Sequence, residues 1–154
     1  MFDAFGLIFL ALGFFAGAPQ EPLSAKELPE FLGPVSADAI SWTKYLGPDF
    51  IVYYGHARPP ISADVAFYLG GATRLEPVPN SETVESTLGI YPVQWRRVVA
   101  KDGSVEQTAL IRLDDWWKVN IGVKAKSQRD MDQLVAIIAR LPTFTTKPKP
   151  VWTQ

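Results

Sequence analysis

Apolar positions along this chain follow three different periods, and each period predicts a different element. Residues 50–54, "FIVYY", are aromatic or β-branched at every position, with neighbours on alternating faces. That pattern predicts a strand covered on both sides or central in its sheet. Residues 63–71, "ADVAFYLGG", put Val65, Phe67 and Leu69 on one face and stop at Gly70-Gly71. The connection 55–62, "GHARPPIS", holds Pro59 and Pro60, so these two strands are not joined by a tight hairpin turn. Residues 72–82 contain "EPVPN" and predict an irregular segment. Further on, "VQWRRVVA" and "VEQTALIRL" flank "KDGS". Asp102-Gly103 suits a two-residue type I′ turn, whose central positions need positive φ. That turn pairs Lys101 with Ser104, Val99 with Glu106 and Trp95 with Leu110, and makes Arg97 a diagonal neighbour of Glu106. In "WWKVNIGVKAK", Trp117, Val119, Ile121 and Val123 alternate with Lys118, Asn120 and Lys124, the mark of a half-buried strand.

Helical spacing is clearest near the C-terminus. Ser127 and Asp130 form an S-x-x-D capping box, and Met131, Leu134, Val135, Ile138 and Leu141 follow on one stripe until Pro142. A second helix is predicted at 37–46 in "SADAISWTKYL", with Ser36 as cap, Asp38 in the first turn and Gly47-Pro48 as stop. Residues 19–35 form a linker with one helical turn in "ELPEFLGP", and 143–154 form a Pro/Lys-rich tail, extended or mobile. The expected fold is α+β: one domain, 36–142, with an antiparallel sheet of about five strands and the C-terminal and short N-terminal helices packed on one face. The outline is similar to PsbP/Mog1-like sheet-and-helix domains, by analogy of fold only.

The uncharged run "FGLIFLALGFFAGA", residues 5–18, changes the picture by giving the chain an address. Its 14 residues span about 21 Å as a helix, short of the ~20 residues that cross a bilayer. With Ala16-Gly17-Ala18 as a small-residue cleavage pattern, it reads as a signal peptide over 1–18. The alternative is an uncleaved N-terminal membrane anchor. The chain has 15 Lys+Arg, 16 Asp+Glu and no cysteine. Near neutrality gives no global field for nucleic acid or an anionic membrane, so neither is an expected partner. A cysteine-free exported chain fits a bacterial protein, periplasmic or secreted, stabilised by its core rather than by disulfides. "YLGPDFIVYY", "YLGG" and "PVQWRR" together resemble an uncharacterised exported bacterial domain family in which Gly-Pro-Asp-Phe opens the first strand. The likeness covers roughly residues 45–125. That family carries no assigned activity, so the resemblance implies an exported single domain and no catalytic residues.

Candidate chemistry is sparse. His56 is the only histidine, in "YYGHARPP" beside Arg58, and without cysteine it cannot build the usual zinc site. No metal or cofactor is expected: the chain has no G-x-S-x-G elbow, no G-x-G-x-x-G and no Walker A loop. Asp114-Asp115 and Asp49 are accounted for as turn residues. Trp95 and Arg97 share a face and, near Trp116 and Trp117, make an aromatic-basic group suited to a sugar ring or a protein partner; the alternative is a core Trp with a snorkelling Arg. The binding candidates are therefore His56, Arg58, Trp95 and Arg97. The expected function is a non-catalytic extracytoplasmic domain that binds a protein partner or envelope component. Two alternatives stand beside it: a small-ligand or lipid carrier with a pocket between sheet and helix lined by Tyr53, Tyr54, Phe67 and Trp117, and a small hydrolase using His56 with Asp49 or another carboxylate.

Overall fold

A computed structural model of the 154-residue chain describes residues 39–46, 50–70, 80–112 and 118–145. The signal-peptide, linker and N-terminal-turn expectations, Asp49, Asp114-Asp115 and Trp116-Trp117 lie outside those residues. No helix among the described residues is long and apolar enough to cross a membrane.

The described residues form one seven-stranded antiparallel sheet, not five strands, in the order β1-β2-β3-β7-β6-β5-β4. The strands are β1 (Ile40–Leu46), β2 (Phe50–Ala57), β3 (Ala63–Gly70), β4 (Glu82–Leu88), β5 (Tyr91–Val99), β6 (Val105–Arg112) and β7 (Lys118–Ala125). Helix α1 (Gln128–Ile138) and the short α2 (Pro142–Thr145) follow. Two meanders, β1 to β3 and β4 to β7, join where β3 pairs with β7.

Both strands beyond the expected five were obscured by local signals. Where a helix is expected over 37–46, residues 40–46 are strand β1. Its residues "ISWTKYL" alternate: Ile40 and Trp42 are buried and Ser41 is exposed. Pairing with β2 sets Trp42 opposite Gly55. A Cβ on Gly55 would lie 2.7 Å from both Ile40 Cγ2 and a Trp42 ring carbon, so the missing side chain makes room for the indole. Strand β4, "ETVESTL", has only Val84 and Leu88 as apolar residues, and β5 supplies its hydrogen-bonding edge. Its exposed Glu82 and Glu85 suit an edge that must not recruit another chain.

The β5–β6 hairpin is also shifted. Gly103 N donates to Ala100 O at 3.0 Å, Ala100 N donates to Ser104 O at 2.9 Å, and Gly103 has φ +88°. This is a three-residue loop closing on a left-handed glycine, not a two-residue turn. Asp102 steadies it by accepting from Ser104 N at 3.0 Å and from Ser104 Oγ at 2.7 Å. Val99 therefore faces Val105, and Arg97 faces Gln107 rather than lying near Glu106. A one-residue shift exchanges the faces of β6, which is why Val105, Ala109 and Ile111 face the main core with Gln107 buried on the same side, while Thr108 is buried on the other.

The main core lies on the face that α1 covers, packed over β7 and β3. Ser127 caps α1 as expected, accepting from Asp130 N at 3.1 Å, and Met131, Leu134 and Ile138 are fully buried. The expected tail begins instead with α2, whose Phe144 is fully buried. Its carbonyl accepts from Ile90 N at 2.7 Å, across a turn where Gly89 has φ +63°. Val52 and Tyr53 are buried on opposite faces of β2, as a strand apolar on both sides requires. The second face carries a smaller cluster of Val52 and Ala66 with Tyr45, Tyr54 and Tyr68.

Candidate functional site

The sequence candidates separate. Trp95 is a core residue, 1% exposed, with its indole N–H donating to Ser86 Oγ at 3.1 Å. Arg97 donates from Nε to Gln107 Oε1 at 2.8 Å and lies 4.0 Å from Glu82. The aromatic-basic pair is therefore a packed Trp beside an Arg held by its sheet neighbours, and neither stands ready for a ligand. The proposed carrier lining also divides. Tyr53 and Phe67 belong to the helix-covered core and Tyr54 to the opposite face, because adjacent strand residues point opposite ways.

His56 and Arg58 remain together at one end of the sheet. His56 is not in a loop: β2 continues to Ala57. Arg58 opens the connection to β3, exposed, with its backbone N–H donating to Ala39 O at 3.0 Å. Pro59 and Pro60 follow, joined by a cis peptide, and Ile61 N closes the turn onto Arg58 O at 3.3 Å. Lys126 N donates to Ser62 O at 3.1 Å, which ties this loop to the end of β7.

A half-open groove of about 550 Å³ lies beside this loop. Its polar lining comes from β2 and β3 (His56, Asp64), the β5–β6 turn (Asp102, Ser104) and the end of β7 (Lys124, Lys126). Antiparallel register builds the row behind it. His56 faces Asp64, Asp64 faces Lys124, and Lys124 faces Glu106, so basic and acidic side chains alternate across four strands. His56 Nδ1 is bonded to Asp64 Oδ1, and Lys124 Nζ lies 3.6 Å from Glu106. The Tyr54 hydroxyl donates to Asp64 as well. Ser104's hydroxyl and backbone N–H hold the Asp102 carboxyl below its ordinary pKa. Lys126 makes no ion pair among the described residues. Among those residues no cluster of three or more His, Cys, Asp or Glu could hold a metal ion.

Asp64, Lys124, Lys126 and Asp102 were not legible as site residues. Each looks like an ordinary strand or turn residue, and only register brings them to His56. The one available signal was Asp64 at the start of an otherwise apolar strand, eight residues after the histidine.

Burial, then the Asp64 charge and hydrogen bond, raises the Tyr54 phenol above its ordinary value of 10.0, and burial raises Tyr53. Phenols raised in the folded state stabilise it fully below the unfolded value. That stabilisation is lost as pH climbs through the folded values. Urea denaturation between about pH 8 and pH 11 should show stability falling above pH ~10. Tyr54→Phe, which has no phenol to ionise, should flatten that fall; an equally steep fall in the variant would remove Tyr54 as its source.

Comparison with protein-family models, with characterised proteins and with solved structures finds no match to this chain.

Proposed function

We propose that this chain is an extracytoplasmic binding domain that engages a protein partner or envelope component through the groove between the β2–β3 loop, the β5–β6 turn and the end of β7. The observation that carries this reading is the groove itself. Three chain segments distant in sequence converge on one half-open polar cleft, its volume within the range of ligand sites. Two prolines in its wall and a backbone hydrogen bond from Lys126 to Ser62 limit the loop's freedom, so less conformational entropy is lost on binding. The uncharged segment at 5–18 supports the extracytoplasmic address.

Site-specific photo-cross-linking in the bacterial envelope tests it. A photoreactive residue at Arg58 should capture a discrete partner, and one at Glu85, on the far edge strand, should not. Arg58→Ala and Lys126→Glu should weaken a partner's binding while changing stability by no more than ~0.5 kcal/mol, as exposed substitutions do. Equal capture from both positions would overturn the assignment of the groove.

A further inference from the structure

The carboxylate that a histidine-based hydrolase would need stands opposite the histidine. Register places Asp64 on β3 across from His56 on β2, and Nδ1 of His56 meets its Oδ1. An ionised carboxylate only accepts, so the proton of the neutral ring sits on Nδ1 and the lone pair is on Nε2. Tyr54 donates to the same carboxylate from one pleat further along β2, so Asp64 is held from two sides. The His56 side chain is 69% exposed and lines the groove. A base within hydrogen-bond reach of its proton, oriented by a third group, is the arrangement that general-base chemistry requires.

We propose that the groove hydrolyses a carboxylic ester, with His56 as general base toward water and Asp64 as the residue that positions it. This rests on the groove being a ligand site, and it is compatible with the binding role: a cleft that holds an acyl group beside an imidazole binds first. Water is the nucleophile, because Ser104 directs its hydroxyl proton to Asp102. Nε2 takes a proton from water as the water oxygen bonds to the acyl carbon. The resulting oxyanion is stabilised by the Lys126 ammonium in the same groove. The carbon–oxygen bond to the leaving group then breaks, and the departing alkoxide takes the proton back from the imidazolium. The products are an alcohol and a carboxylic acid, which ionises. No oxidant, metal or further reactant enters.

The test is p-nitrophenyl acetate hydrolysis by the full chain. Turnover should saturate and slow in deuterated water. Asp64→Asn should lower kcat by about 10–100-fold with KM nearly unchanged, a part of the ~10²–10⁴-fold that a positioned base contributes, and His56→Gln should fall to the uncatalysed rate. An exposed imidazole acting as it would free in solution gives a different result: a rate linear in ester and identical in wild type and Asp64→Asn. That result overturns the proposal. Acetanilide, the amide counterpart, separates this from the binding reading. If it shifts the NMR amide signals of Ser62 and Lys126 while the ester is not turned over, hydrolysis fails and the groove stands. If neither occurs, hydrolysis falls, and the binding reading is decided by capture at Arg58 against Glu85.

Discussion

Ile138→Asp is expected to remove a large part of the domain's stability. Ile138 is fully buried on the α1 stripe with Met131 and Leu134, under the sheet's main core. A carboxylate there loses its hydration and finds no cationic partner, because that core cluster consists of apolar side chains. The cost is on the order of 4 kcal/mol, against a total of ~5–15 kcal/mol for an ordinary domain. Ile138→Val, which removes one methylene, should cost only ~0.5–1.5 kcal/mol. Ala136→Asp, on the exposed side of the same helix, should cost less than about 1 kcal/mol. Urea titrations followed by circular dichroism on the three variants provide the check. Similar midpoints for Ile138→Asp and Ala136→Asp would mean that α1 does not seal the sheet.

Phe67→Ala should cost about 3–5 kcal/mol, the range for truncating a buried aromatic. Phe67 is fully buried at the middle of β3. Its ring stacks on Trp42 with centroids 5.6 Å apart and meets Phe144 at 5.8 Å. It therefore links an edge strand to the short C-terminal helix through the centre of the core. Removing it leaves a cavity and takes the contact surface from both partners. Because Phe67 and Phe144 touch, their alanine variants should not add: a double-mutant cycle should return a coupling of ~0.5–3 kcal/mol. Strict additivity would show that α2 docks independently of Phe67.

Periodicity carried the parts of the fold whose local pattern and tertiary role agree. The α1 stripe and its Ser127 cap were legible because burial on one face writes itself into spacing, whereas β7, expected to be half-buried, buries Asn120 as well as Val119, Ile121 and Val123 because it lies at the centre of the sheet. Residues 40–46 misled because a good cap and an early acid, Ser36 and Asp38, precede a segment whose Ile, Trp, Thr and Tyr also suit a strand. Helical cues within one turn are local, whereas the reason for the strand is the open edge of β2 and the space above Gly55. Strand β4 misled in the opposite way: an exposed edge strand buries little, so it carries almost no apolar pattern.

The sequence by itself determined the apolar stripe of α1 and where that helix starts, that the chain lacks cysteine, and that His56 is its one imidazole. The tertiary structure alone decided what stands beside that imidazole. Asp64, Lys124 and Glu106 lie 8, 68 and 50 residues from His56 in the chain, and they form one row only because four strands pair in a particular register. A shift of one residue in any pair would turn a member to the other face. The register of β5 against β6 in turn depends on the positive φ of Gly103 and a three-residue loop. Side-chain chemistry is a local property readable from composition, but proximity across a sheet is set by the balance of core packing and turn geometry over the whole domain.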